Sequence, residues 1–168
     1  MNNTPIEHER KYLIRYPDRA KLLQMEGVTV WNVIQTYLEA EEGVSRRVRH
    51  VKEDGKNIYY LTEKRRISNS SSFEDEKEIT REEYAEYLTT AQKGAVPVRK
   101  TRYRVPYGEY LAEIDVYPFW EDRAILEIEQ PEGADVPFPP FAEMIKEVTD
   151  DKRYKNARLA YEVPKDEI

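Results

Sequence analysis

The chain has 168 residues, 36% of them charged, with a net charge of -6; that length suits one domain over 1–168, and the negative balance speaks against a nucleic-acid coat, which needs a basic surface. It has no Cys, which excludes disulfides, thiolate metal sites and cysteine nucleophiles. A basic-then-apolar leader and an apolar run of membrane-spanning length are both missing from the sequence, so a cytoplasmic protein without membrane partners is expected.

Residues 5–15 read as a first strand, in which Glu7, Glu9 and Lys11 alternate and so share one face. Tyr16-Pro17-Asp18 breaks it. A short helix follows over Arg19 to Met25, with Asp18 as its cap and Gly27 ending it. Val30 to Leu38 reads as a strand with Gln35 and Tyr37 on one face, and Val44 to Val51 as a strand with Ser45, Arg47 and Arg49 together. Asp54-Gly55 is a hairpin turn signal that joins this strand to Asn57–Ile67, where Tyr60, Thr62, Lys64 and Arg66 share a face. Residues 68–72 form a polar linker, and Phe73 to Ile79 a strand with Glu74, Glu76 and Glu78 in register. Thr80 and Glu83 make a capping box for a helix bearing Tyr84, Tyr87, Leu88 and Ala91. Three more strands follow: Val96 to Val105 with Lys100, Arg102 and Arg104, Tyr110 to Tyr117 with Glu113 and Asp115, and Ala124 to Gln130 with Glu127 and Glu129. Beyond the Pro-rich residues 131–140, the apolar spacing predicts helices over Phe141–Val148 and Tyr154–Tyr161. The sum is a mainly β (α+β) chain whose eight antiparallel strands close most economically as a barrel.

The charged faces specialise by sign. Glu-x-Glu recurs on three strands, and Arg-x-Arg or Lys-x-Arg on others. A solvated face would mix Lys, Glu, Ser, Thr and Gln. The opposite faces are richer in Leu, Ile, Val and Tyr, which gives helices a surface to pack on. Both facts fit a barrel with a charged lumen and helices outside. A charged lumen is costly unless its charges are paired or bound. Clustered carboxylates suit a hard divalent cation, and Arg and Lys in a groove suit phosphate oxygens. Together they describe a site for a metal–polyphosphate. His8 and His50 fall on the outer face by parity, while Trp31 and Trp120 read as core. Tyr154 and Asn156 read as docking the last helix, which is placed to plug one tunnel end.

Glu7-His8-Glu9-Arg10-Lys11, Gln35-Thr36-Tyr37-Leu38, Arg47-Val48-Arg49, Thr62-Glu63-Lys64, Glu76-Lys77-Glu78, Lys100-Thr101-Arg102, Asp115 and Glu127-Ile128-Glu129 stand in the order seen in one family. The sequence resembles the CYTH, or triphosphate tunnel metalloenzyme, proteins. That resemblance implies an eight-stranded tunnel and Mg²⁺- or Mn²⁺-dependent cleavage of a small-molecule triphosphate or polyphosphate. It implies Glu7, Glu9, Glu127 and Glu129 as metal ligands, with Asp115, Glu76 and Glu78 as further candidates. Lys11, Arg47, Arg49, Lys64, Lys100 and Arg102 would hold phosphates, with Arg66 beside them. The catalytic set expected is Glu7, Glu9, Lys11, Tyr37 and Lys100, with Lys100 and Tyr37 helping to place an attacking water. Inorganic triphosphatase activity is the leading expectation, in a monomer or homodimer. Nucleoside or thiamine triphosphatase, adenylyl cyclase and a non-hydrolytic polyphosphate-binding module are the alternatives.

Overall fold

The computed structural model describes residues 6–68, 70–131 and 133–168, with the backbone alone of Glu7. Nine strands and three α-helices follow one another along it: Ile6–Arg15 (β1), Arg19–Leu23 (α1), Thr29–Leu38 (β2), Val44–Glu53 (β3), Lys56–Arg66 (β4), Ser71–Ile79 (β5), Arg81–Leu88 (α2), Val98–Tyr107 (β6), Tyr110–Val116 (β7), Arg123–Glu129 (β8), Met144–Glu147 (β9) and Asn156–Leu159 (α3). The strands run in the order β5-β4-β3-β2-β6-β7-β8-β1-β9, and a β5–β1 pairing closes the first eight into an antiparallel barrel. Closure removes the free edges that an open sheet of this size would expose.

β1 is the seam. Its residues Ile6, Glu7 and His8 pair with β5, while Glu9 to Arg15 pair with β8. Where β5 leaves it, β9 takes over along Tyr12 to Ile14. The Phe141–Val148 segment is therefore not the helix its apolar spacing predicts. The unpaired backbone groups of β1 need partners, and that demand outweighs a short segment's intrinsic preference. The predicted last helix is also shorter. A 3-10 turn at Lys152–Tyr154 precedes α3, and Ser71 and Ser72 of the expected linker belong to β5.

Local signals elsewhere act as read. Asp54 and Gly55 both adopt positive φ, which matches the twist of the β3–β4 hairpin. Thr80 and Glu83 complete the capping box of α2. Gly27 sits at φ +75, where a Cβ would also meet Pro106 at 3.2 Å.

Strand parity sorts the apolar side chains into two outer clusters and one inner one. The first outer cluster includes Tyr12, Ile14, Tyr103, Val105, Ile114, Leu126 and Ile128, covered by Leu22 of α1 and by the Pro-rich segment through Val136 and Phe138. The second holds Leu38, Val48, Leu61 and Ile79, with Tyr84 and Tyr87 of α2 packed over it. Each such buried aliphatic side chain contributes about 1.5–3 kcal/mol. The inner cluster has the parity of the lumen. Leu13, Tyr37, Val98, Tyr117 and Ile125 meet Trp120, Tyr154, Leu159 and Ala160. It forms an apolar floor that closes one end of the barrel with the C-terminal segment. Among the described residues, no helix is long and apolar enough to cross a membrane.

Candidate active site

Inside the barrel is a cavity of about 480 Å³. Alternation along the barrel strands delivers its walls: Glu9 and Lys11 from β1, Tyr37 from β2, Arg47 and Arg49 from β3, Lys64 and Arg66 from β4, Glu76 from β5, Arg102 from β6, and Glu127 and Glu129 from β8. These are sequence-predicted site residues brought round one space. Lys100 and Asp115 are buried in the wall and do not line the cavity. Glu78 is solvent-exposed, opposite Tyr60, and away from it. The side chain of Glu7 lies outside the described residues; its backbone pairs with Ser72.

Other wall residues were not singled out in advance. Glu74 lines the cavity beside Glu76, as the Glu-x-Glu-x-Glu register of β5 would have allowed. Trp31 lines it too, contrary to its reading as core. It stands on the lumen face of β2 with the Arg104 guanidinium 4.5 Å over its ring. Lys152, Lys155, Asn156 and Arg158 enter from the C-terminal segment. That segment is tied down by the Tyr117 hydroxyl, which hydrogen-bonds Asn156 Oδ1, and by the Trp120 indole N–H donating to Pro164 O at 2.9 Å. Tyr154 is fully buried beneath it, as a docking residue should be.

One charge centre lies at Asp115. Its carboxylate, wholly shielded from solvent, accepts from Lys100 Nζ at 2.9 Å and from Arg102 Nε and Nη2 at 2.7 and 2.9 Å. Burial works against its charge, but Arg102 and Lys100 hold the carboxyl below the usual range. Burial and neighbouring Arg102 push the Lys100 ammonium down to about 7. Arg102 also contacts Glu113 at 3.2 Å and Glu127 at 3.5 Å, and Lys11 Nζ reaches Glu127 at 3.2 Å.

A second centre is acidic. Glu9 and Glu129 face each other in register across β1 and β8. Burial, and then the charges of Glu113, Glu74 and Glu9, push the Glu129 carboxyl up. Lys64 Nζ stands 3.7 Å from Glu9 and 3.6 Å from Glu74. Carboxylates grouped in this way, all with hard oxygen donors, fit a divalent cation of the Mg²⁺ or Mn²⁺ kind. Among the described residues, no three acidic or imidazole groups converge on one coordination point in this arrangement.

The third centre is cationic and incompletely partnered. Burial and the adjacent Arg47 hold the Arg49 guanidinium below its ordinary value. One Arg49 nitrogen donates to Glu76, which also accepts from Thr62 Oγ1 at 3.0 Å. Arg49 Nε and Nη1, Arg47 Nε and the Trp31 indole N–H are buried without a hydrogen-bond partner among the described residues. Donors of this kind are rarely left unpaired in a folded protein. The Arg47 and Arg49 donors, on one face of β3 and lining the cavity, are what an oxyanion-binding surface requires.

No family model and no curated protein sequence matches the chain. Among solved structures, it is similar to the inorganic triphosphatase NE1496 at 28% identity. That match covers 94% of this chain and 96% of the other, with a TM-score of 0.54. It also resembles the PH1819 and PH1012 proteins of Pyrococcus horikoshii, at 19% and 21% identity. Each of those matches covers 76% of this chain and 80% of the other, with a TM-score of 0.58.

Proposed function

We propose that this chain, which has the tunnel fold of the CYTH or triphosphate tunnel metalloenzyme proteins, hydrolyses triphosphate compounds, with inorganic tripolyphosphate as the leading substrate. The observation that carries the reading is the pairing of two unlike walls in one cavity. Arg47 and Arg49 present unpartnered buried N–H groups, and Glu9, Glu74, Glu113 and Glu129 form a carboxylate crowd. A bare anion binder gains nothing from such a crowd. The likeness to an inorganic triphosphatase over 94% of the chain supports the same reading.

In this reading Lys11, Arg47, Arg49, Lys64, Arg66 and Arg102 hold the phosphate chain, and their charges offset the charge that builds on the transferring phosphoryl group. Glu9, Glu129 and the neighbouring acidic groups would hold Mg²⁺ or Mn²⁺, which when bound supplies Lewis-acid polarisation and an acidic water. Asp115 fixes Lys100 and Arg102 in place. Lys100 does not line the cavity, so its expected part in placing the attacking water gives way to a supporting one, holding the Asp115–Arg102 pair from behind the wall. Tyr37 stands in register with Arg47 and orients that side of the wall.

The test is phosphate release from tripolyphosphate, ATP and thiamine triphosphate, with Mg²⁺ or Mn²⁺ and with chelator, alongside assays for pyrophosphate and cyclic nucleotide. Fast, metal-dependent release from tripolyphosphate is expected. Tight binding with no product of any kind would replace hydrolysis by a polyphosphate-binding role.

A further inference from the structure

Trp31 is out of place in the cavity wall. Among the described residues that line the cavity, all but Trp31, Tyr37 and Ala157 are charged or polar. Core packing does not account for a tryptophan there, since Trp31 belongs to none of the three apolar clusters. It is half-buried, and among the described residues the group that lies over its ring is the Arg104 guanidinium, 4.5 Å from the centroid. A phosphate chain has little use for an indole. The one polar atom of the side chain is a buried N–H, and the ring faces attract planar or cationic groups rather than oxyanions.

Register gives its position. Tyr37, toward the other end of the same face of β2, belongs to the floor. Trp31 therefore stands toward the end of the barrel that the floor does not close. Arg102, which lines the cavity, is directly opposite it on β6, and Arg104 lies opposite Thr29. A group carried on the outer end of a phosphate chain passes the indole. The Arg104 side chain is held by Glu113 at 3.2 Å and is 32% exposed. Such a side chain can lift from the indole and clasp the outer face of a ring that takes its place.

We propose that Trp31 and Arg104 form a stacking platform for a planar heteroaromatic ring borne on a triphosphate, and that this ring is the neutral base of a nucleoside triphosphate. Arg104 is the reason for a neutral base: a cationic ring, such as the thiazolium of thiamine triphosphate, would lie against a like charge. The inference rests on the reading of the cavity as a triphosphate site. It adds to that site a preference for nucleoside triphosphates over triphosphate esters without a base, and it leaves the phosphate contacts as they are.

The test uses the full chain in EDTA, with tripolyphosphate, methyl triphosphate, ATP and thiamine triphosphate titrated by calorimetry. Methyl triphosphate is an ester, as ATP is, but has no base. ATP should bind the wild-type protein about fivefold to a hundredfold more tightly than methyl triphosphate, the range that base–aromatic stacking supplies. It should also quench the tryptophan fluorescence. Trp31→Leu should remove both the advantage and the quenching while tripolyphosphate and methyl triphosphate bind as before, and Trp31→Phe should keep most of the advantage. Equal wild-type affinity for ATP and methyl triphosphate, a comparison that needs no variant, would overturn the inference. So would an equal loss for every ligand in Trp31→Leu, which would make Trp31 a residue that only shapes the wall. A larger gain from Trp31 for thiamine triphosphate than for ATP would overturn the assignment to a neutral base. Failure of the wild-type protein to bind any of these triphosphates would overturn the proposed function as well.

Discussion

Asp115→Asn separates a structural anchor from a metal ligand. The wild-type carboxylate is fully buried and accepts three hydrogen bonds, from Lys100 Nζ, Arg102 Nε and Arg102 Nη2. Asparagine keeps the shape but withdraws the charge, leaving two buried cations less compensated. Breaking one partner out of a buried pair costs about 3–5 kcal/mol. For a chain of this length that is a fall in melting temperature of roughly 6–20 °C. The loss should also depend on pH. Lys100 has a folded pKa of about 7, below that of a free lysine near 10.4. Between those values the unfolded chain binds more protons, so this group adds stability as pH rises. Removing Asp115 lowers the Lys100 pKa further, because Asp115 is one of the charges that raises it. The variant can therefore escape part of its penalty at pH 8 by shedding the Lys100 proton, but less so at pH 6. Denaturant titrations at both pH values measure this. Wild-type stability at both, together with loss of metal-dependent turnover, would refute the anchor assignment and make Asp115 a metal ligand.

Glu129→Gln should reduce metal-dependent turnover at least a hundredfold and leave the metal-free melting temperature equal or higher, since it relieves the crowd of Glu9, Glu74 and Glu113. A steady-state assay paired with calorimetric melting reads both. Arg49→Ala should weaken tripolyphosphate binding tenfold to a hundredfold, through loss of a buried charged donor. Equilibrium binding without metal checks it.

The eight barrel strands and the sign of their inner faces were legible because alternation reports parity directly, and parity decides which side chains enter the lumen. Glu9 with Glu129, Lys11 with Glu127 and Arg102 with Asp115 became neighbours once register was known. Register is where the sequence is silent. Nothing in the pattern separated Asp115, locked in ion pairs, from Glu129, crowded by like charges. Nor did it separate Glu76 in the wall from Glu78 beyond it. The floor was equally hidden, since Leu13, Ile125 and Tyr117 continue charged faces as apolar residues. Only the returning C-terminal segment explains why they do. β9 was misread because a four-residue strand has too little periodicity of its own. Its conformation comes from the edge of β1 that it repairs.

The same wall geometry links binding to stability. Arg47 and Arg49 hold buried donors that the described protein leaves unmet, so the unliganded barrel sits below its attainable stability, a common condition at functional sites. An anion that satisfies those donors binds the folded chain and not the unfolded one. At a hundred times its dissociation constant it adds about 2.7 kcal/mol, or roughly 5–11 °C in melting temperature. The gain should not require metal, since the orphan donors are cationic and lie on the opposite sign of wall from Glu9 and Glu129. Tripolyphosphate in EDTA should therefore raise the melting temperature, orthophosphate at equal concentration should do so less, and the gain should shrink with added salt only as far as the buried geometry allows. Equal shifts for all three of tripolyphosphate, orthophosphate and sulfate would mean that the cavity senses charge alone, and that its depth and floor do not select chain length.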